Sequence, residues 1–113
     1  MRRVYIEEAI LNAQKSTLNC SNHGAIVIYR GKIVGHGYNK QSVENLNRVN
    51  KWTIHAEVDA INNALRKISK DNLKQSTLIV VRLMKTGEIG LSQPCKCCSE
   101  FIKKCGIKNV YYS

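Results

Sequence analysis

The spacing of apolar residues along the first part of the chain predicts one helix followed by a hairpin. In "VYIEEAILNAQKS" the apolar residues recur at helical spacing, which is typical of an amphipathic helix. These residues are Ile6, Ala9, Ile10 and Ala13. "AIVIYRGKIVGHGYN" then predicts two strands joined by a turn at Arg30-Gly31-Lys32. We expect a loop over the polar residues 40–51.

The second half of the chain repeats the alternation of helix and strand. "IHAEVDAINNALRKIS" predicts a second helix, whose expected buried stripe is Val58, Ile61, Leu65 and Ile68. "STLIVVRL" is apolar without interruption in its middle, so it predicts a strand that is covered on both faces. "KTGEIGLSQ" is expected to be a loop. "CKCCSEFIKKC" predicts a third helix that ends at Gly106, and "IKNVYYS" predicts a last strand.

The predicted order of elements is α-β-β-α-β-α-β, which indicates an α/β fold. The third strand, the third helix and the last strand form a unit of the kind that connects parallel strands. We therefore expect a mixed sheet of about four strands with helices packed on its faces. A length of 113 residues predicts a single domain over residues 1–113.

Composition and charge narrow the classes of partner. No apolar run is long enough to span a bilayer, and acidic residues interrupt the N-terminal "MRRVYIEEAIL", so neither a membrane segment nor a signal peptide is expected. The net charge is +10, but the 18 basic residues are spread along the chain. This spread favours a solvated, lysine-rich surface over a dedicated polynucleotide site. The charge would still suit an anionic small molecule such as a nucleotide.

The five cysteines indicate a metal site better than a disulfide framework, because their number is odd and three of them are clustered. We therefore expect a reducing compartment, the cytoplasm, with the nucleus as the alternative. Cys95 and Cys98 are three residues apart in the first turn of a predicted helix and can grip one zinc ion, whereas Cys97 turns away. Cys20 and Cys105 are expected to be small buried apolar groups.

A two-cysteine pair needs further ligands, and His55 at the start of the second helix is the best remaining donor. Three protein ligands would leave the fourth zinc position open, which is the catalytic arrangement. Glu57, two residues after His55, could then carry protons to and from the reacting groups. The alternatives are a structural zinc site or plain buried side chains for the ligands, and a favourable helix-terminal acid for Glu57.

"HAE" at one helix start and "PCKCC" at the next resemble the H-x-E…P-C-x-x-C signature of the zinc-dependent cytidine and deoxycytidylate deaminase superfamily. The resemblance implies a three-layer cytidine deaminase-like fold, here with a short C-terminus. It implies that His55, Cys95 and Cys98 bind Zn²⁺, that Glu57 is the catalytic proton shuttle and that Asn39 contacts the sugar of the substrate. The implied reaction is hydrolytic deamination of a cytosine nucleoside or nucleotide with release of ammonia.

Two departures from the family pattern leave the substrate open. Leu91-Ser92-Gln93 precedes Pro94 where many relatives have Thr-Leu-Glu, and Ser99-Glu100 stands where nucleoside deaminases often have arginine and glutamine. The alternatives are therefore a deaminase that acts on a base in RNA or DNA, and a non-catalytic zinc-binding subunit of a deaminase complex.

Three further expectations concern residues outside the motifs. The apolar end "VYYS" without a covering helix predicts a homo-oligomer. Trp52 could stack on a base, but a lone tryptophan is more often part of the core. His23 and His36 flank strands and are expected to be structural.

Overall fold

The computed structural model describes residues 3–16, 22–41, 53–84, 86–92 and 96–113. Its helices and strands follow the predicted order, with four short additions. They are α1 (Arg3–Gln14), β1 (Asn22–Tyr29), β2 (Lys32–Tyr38), β3 (Lys40–Gln41), β4 (Thr53–Ile54), α2 (Ala56–Ala64), α3 (Lys70–Lys74), β5 (Thr77–Leu83), β6 (Ile89–Gly90), α4 (Lys96–Cys105) and β7 (Asn109–Tyr112).

The central sheet has five strands and is mixed. Strand β1 lies between β2 and β5 and is antiparallel to both of them. The other edge of β5 pairs with two strands, in parallel with β7 and antiparallel with β6. The parallel β5–α4–β7 unit confirms the predicted crossover.

Helices cover both faces of this sheet, so the fold has the predicted three layers. On one face α1 packs on a cluster formed by Ile26, Ile28, Ile79 and Val81. On the other face α2, α3 and α4 enclose a second cluster around Val27, Leu78 and Val80. Residues Leu78 to Val81 of β5 are all buried, which confirms the expected coverage of this strand on both faces. That residues 1–113 form a single domain stays a prediction.

Small residues bring α2 very close to β2, whereas the sequence predicted that large apolar residues of α2 would make this contact. The helix buries Ala56, Ala60 and Ala64 against Gly35 and Gly37. A Cβ atom at Gly37 would lie 2.5 Å from the carbonyl oxygen of Ala56 and 2.9 Å from the Cα of Ala60. Only glycine therefore lets the two backbones approach this closely.

The predicted stripe of α2 was only partly right. Ile61 is fully buried, but Val58, Leu65 and Ile68 are half-buried. Leu65 and Ile68 still pack against the core cluster that contains Ile61, but the alanines that contact the sheet were missed because alanine contributes little to a hydrophobic periodicity. The predicted helix was also too long, because α2 ends at Ala64 and α3 begins separately after Ser69, whose hydroxyl accepts a hydrogen bond from the Asn72 amide at 3.2 Å.

Two stretches expected to be loops contain short ladders. Residues 40–41 pair with residues 53–54, and residues 89–90 pair with the end of β5. Two-residue strands are too short to show alternation, so sequence periodicity could not find them. The rest of the loop expected over residues 40–51 lies outside the described residues.

The predicted turns are confirmed by their backbone angles. Arg30 and Gly31 both have positive φ, at 51° and 77°, as in the turns that favour tight hairpins. Gly106 follows α4 with a φ of 77°, which is the left-handed conformation that ends many helices. Within the described residues, no helix combines the length and the apolar character needed to cross a bilayer.

Candidate active site

The starts of α2 and α4 bring a histidine and a cysteine together. His55 is the N-cap residue of α2, with extended backbone angles (φ −75°, ψ 148°) and no capping hydrogen bond from its side chain. Cys98 lies in the first turn of α4 and is only 3% exposed. The Nδ1 atom of His55 and the Sγ atom of Cys98 are 3.2 Å apart, although 43 residues separate them along the chain.

This separation suits two ligands of one zinc ion. With Zn–S near 2.3 Å and Zn–N near 2.0 Å, a nitrogen and a sulfur at a tetrahedral angle lie about 3.5 Å apart. Imidazole and thiolate are also the donors that zinc prefers. Among the described residues no group of three or more such donors occurs. Cys95, the predicted third ligand, lies outside the described residues, so its part in the site stays a prediction.

Glu57 lies in the first turn of α2 and is buried, with 5% exposure. Its carboxylate makes no hydrogen bond or ion pair with any residue in the described part of the chain. Carboxylates are seldom buried, and those that are buried are concentrated at functional sites, so its position is consistent with a role in the site. The sequence predicted this residue beside the metal, and α2 places it two residues after His55.

Asn39 is buried where β2 ends, and its side chain fixes the start of β1. Its Oδ1 atom accepts a hydrogen bond from the backbone amide of His23 at 2.8 Å. Its own amide donates to the carbonyl oxygen of His23 at 3.2 Å, and the Ser16 hydroxyl donates to its carbonyl oxygen at 2.8 Å. The structure therefore shows a residue that joins β2 to β1. Contact with a sugar stays a prediction.

His23 and Arg82 belong to the same region, although the sequence gave no motif for either of them. Burial lowers the pKa of His23, the carboxylate of Glu57 raises it, and the charges of Arg82 and His55 lower it further. These influences indicate that His23 lies near the candidate catalytic residues, and its bonds to Asn39 join β1 to β2, so its expected structural role stays a prediction. The available signal was the alternation along β1, since His23 is two and four residues from the buried Ala25 and Val27.

Asp59 holds the first turn of α2 against the end of β2. One carboxylate oxygen accepts a hydrogen bond from the amide of Tyr38 at 3.2 Å and forms an ion pair with the Nζ atom of Lys40 at 3.1 Å. One turn further on, the side-chain amide of Asn63 donates to the carbonyl oxygen of His36 at 2.7 Å. These bonds fix the position of α2 along β2, and so they help to fix the position of Glu57 in its first turn.

The remaining candidates do not reach this site or cannot be placed. His36 pairs with Glu8 at 3.8 Å on another part of the surface. Cys105 packs beside the core, and burial raises the pKa of its thiol. Trp52 and Cys20 lie outside the described residues, as does the side chain of Cys97.

Comparison with solved structures finds the same fold in known deaminases. The alignment with the dCMP deaminase from the cyanophage S-TIM5 in its apo form has 29% identity, covers 98% of this chain and 84% of that one, and gives a TM-score of 0.70. A structure of that enzyme in complex with dCMP and dUMP aligns with 24% identity, coverages of 98% and 82%, and a TM-score of 0.60. The alignment with cytidine deaminase from Burkholderia pseudomallei has 23% identity, covers 94% of this chain and 78% of that one, and gives a TM-score of 0.68. At this identity the similarity shows the fold alone.

Comparison of the sequence with protein families gives a match over the whole chain. No curated protein sequence gives a significant match. The family model described as the cytidine and deoxycytidylate deaminase zinc-binding region matches residues 1–113. With the His55–Cys98 pair, the buried Glu57 and the shared fold already in place, this match identifies the chain as a member of the family of cytidine and deoxycytidylate deaminase zinc-binding regions.

Proposed function

We propose that this protein hydrolyses the amino group of a cytosine nucleoside or nucleotide to give the uracil product and ammonia. The observation that carries the proposal is the 3.2 Å contact between His55 and Cys98 beside the buried carboxylate of Glu57. Zinc-binding donors and a buried acid near the start of the same helix are the groups that hydrolytic deamination needs.

His55, Cys98 and the predicted Cys95 would hold the zinc ion. When bound, zinc acts as a Lewis acid that makes water a nucleophile at neutral pH. The rest of the site serves the metal indirectly. Cys98 lies in the first turn of α4, where the positive end of the helix dipole would favour binding of a thiolate to the metal.

Glu57 would move the protons of the reaction. Its carboxylate takes a proton from the attacking water and delivers it to N3 of the cytosine ring as the oxygen adds to C4. It then delivers the second proton of that water to the amino group, the C4–N4 bond breaks and ammonia leaves. Because Glu57 is buried and unpaired with other described residues, its carboxylate is available for both transfers.

The proposed substrate is a free nucleoside or nucleotide and not a base within a polynucleotide. Between these two, the net charge of +10 favours the anionic nucleotide. The solved complex of the cyanophage enzyme contains dCMP and dUMP, and this supports the same choice by similarity. Action on a base in RNA or DNA is the alternative that the charge and the departures from the family pattern leave open, and we treat it as an outcome of the test.

The test is ammonia release from zinc-loaded protein with cytidine, deoxycytidine, CMP and dCMP. Glu57→Gln should lower the rate by about 10²- to 10⁴-fold because the proton shuttle is lost. Glu7→Gln makes the same chemical change at an exposed site on α1 and should leave the rate unchanged. Absence of turnover by wild-type protein with all four substrates would refute the proposal and direct the search to polynucleotides or to a non-catalytic, zinc-binding subunit.

The metal ligands can be tested separately from activity. Cys98→Ser should lower the zinc content measured by atomic absorption, whereas Cys105→Ser, in the last turn of the same helix, should retain it. Equal zinc content in the two variants would exclude Cys98 as a ligand. Zinc binding by cysteine needs reduced thiols, so we also propose a reducing compartment, the cytoplasm, as the location of the protein.

We also propose that the protein forms a homo-oligomer through the face of the sheet beside α1. A groove of about 280 Å³ lies there and is lined mainly by apolar side chains. Ile89 and Tyr111 line it and are 49% and 51% exposed. A partner subunit could bury this surface. Sedimentation as a monomer at micromolar concentration would refute this assembly.

A further inference from the structure

His23 and Arg82 lie opposite each other on neighbouring strands. In the antiparallel register of β1 and β5, His23 pairs with Arg82. Directly opposed residues project from the same face of a sheet. A Cβ atom at Gly24, the next residue in β1, would collide with the backbone of α1. His23 and Arg82 therefore project from the opposite face, the one covered by α2 and α4.

The register also places this pair at the catalytic end of α2. Ala25 pairs with Gly37, and Gly37 lies under Ala56 and Ala60. Two residues further along the same face, His23 meets Asn39 instead. This step leads toward the N-terminus of α2, where Glu57 lies. The His23–Arg82 pair is consequently part of the sheet-side wall of the candidate active site.

The hydrogen bonds of Asn39 determine which nitrogen of His23 can donate. Because Oδ1 of Asn39 accepts from the His23 amide, the other side-chain atom that faces the ring must be Nδ2, which can only donate. This atom lies 3.5 Å from Nδ1 of His23, so Nδ1 acts as the acceptor. In the neutral ring, which burial favours, the proton is then on Nε2. His23 is thus held as a donor through Nε2.

Arg82 has a buried donor that lacks an acceptor. Its Nε atom is inaccessible to solvent and has no hydrogen-bond partner within the part of the chain that the structure describes. No ion pair of Arg82 with Glu57 or another described acid occurs within 4 Å. A buried donor of a charged group without an acceptor is costly, so an acceptor from a ligand would be bound favourably.

We propose that His23 and Arg82 form a donor pair that binds an oxygen atom of the substrate, either the carbonyl oxygen of the pyrimidine or a phosphate oxygen. The proposal rests on the proposed function, since it assigns a specificity role to the wall of the same site. Arginine suits both acceptors, because its guanidinium group presents several N–H donors in a fixed geometry. Neither oxygen changes during deamination, so the pair should bind substrate and product alike.

The experiment compares five variants in two assays. Arg82→Met and His23→Leu remove the N–H donors of these side chains, whereas Arg82→Lys and His23→Gln each keep an N–H donor at the same position. Arg66→Met is the control for loss of an arginine on another part of the surface. One assay measures kcat/KM with deoxycytidine and with dCMP. The other measures binding of deoxyuridine and dUMP to zinc-loaded protein by calorimetry, which needs no turnover. Melting temperatures identify variants that fail to fold.

We expect Arg82→Met to weaken binding and kcat/KM by about 10- to 100-fold, the effect of losing a hydrogen bond from a charged group. His23→Leu should give a smaller loss, and the two donor-restoring variants should recover part of each. An equal loss for deoxycytidine and dCMP assigns the pair to the pyrimidine oxygen, and a loss confined to dCMP and dUMP assigns it to the phosphate.

Unchanged affinity and kcat/KM in folded Arg82→Met and His23→Leu would overturn the inference while leaving the proposed function standing. Conversely, dUMP binding that weakens in Arg82→Met, in a protein that deaminates none of the substrates, would support the donor pair and refute the catalytic proposal. If wild-type protein neither binds nor deaminates any of these pyrimidines, both proposals are wrong.

Discussion

Substitution of Gly37 by alanine should lower kcat/KM much more than a mutation elsewhere in the core that costs the same stability. The added Cβ would lie 2.5 Å from the carbonyl oxygen of Ala56, whereas ordinary contact begins near 3.4 Å. The helix backbone must therefore move by about 1 Å, since the obstacle is main chain and cannot rotate away. Overpacking of this kind costs about 1–3 kcal/mol. For a domain of this size, the melting temperature should fall by roughly 4–12 °C.

The displaced segment carries His55 and Glu57, the residues proposed to bind zinc and to transfer protons, so the change should reach the proposed chemistry. Ala56 lies between His55 and Glu57, and a shift of this turn moves both side chains relative to Cys98. A misplacement of about 1 Å can lower a rate by about 100-fold. We expect kcat/KM for the best pyrimidine substrate to fall by that order at a temperature well below the melting transition.

Leu73→Ala provides a control that should lose at least as much stability as Gly37→Ala. Leu73 is buried in the same core cluster but belongs to α3, and its truncation should cost about 2–5 kcal/mol without pushing on α2. At the same temperature this variant should keep kcat/KM within about threefold of wild type, as expected when a mutation leaves the site geometry intact. If Gly37→Ala keeps wild-type kcat/KM, or if both variants lose activity equally, the link between glycine packing and site geometry is wrong.

Three further predictions concern the hairpin, the histidines and Asp59. Gly31→Ala places a side chain on a residue with positive φ and should lower the unfolding free energy, measured by urea titration, by about 1–2 kcal/mol. The turn is at the opposite end of the hairpin from His23, so an effect on kcat/KM would contradict the proposed site. Burial lowers the pKa of His23 and His36 below 6.5, so the unfolded chain takes up protons first as pH falls, and stability that is complete above pH 6.5 is lost below it. The urea midpoint of metal-free protein should thus be lower at about pH 5.5 than at about pH 7.5, with a smaller difference in His23→Gln, and an identical difference there would exclude His23 as a contributor. Asp59→Ala removes the acceptor for the Tyr38 amide and should cost about 1–2 kcal/mol, with faster hydrogen exchange at that amide; unchanged exchange would show that this bond is not formed in solution.

Local signals predicted most of the fold because they depend on neighbouring residues. The hairpin turn needs two residues with positive φ, and Arg30-Gly31 supplies a glycine at the second of them. The uninterrupted apolar run of β5 indicated coverage on both faces, and the two clusters on either side of the sheet confirm it. The alanine contacts of α2 were missed because close packing there depends on Gly35 and Gly37, which are more than 18 residues away from the alanines they contact.

The same limit explains which part of the site was predictable. His55 and Glu57 stand in a short motif with a fixed chemical meaning, so their spacing along the chain is informative by itself. His23 and Arg82 are 59 residues apart, and only the register of β1 with β5 places them side by side. Neither residue is unusual alone, since a lone histidine or arginine in a strand is usually structural. The pair is distinguished by the Nε atom of Arg82, which is buried and has no hydrogen-bond partner in the described part of the chain, beside the proposed donor of His23. If substrate choice within this family depends on such pairs across strands, motif matches will identify the family while leaving the substrate open, as they do for this chain.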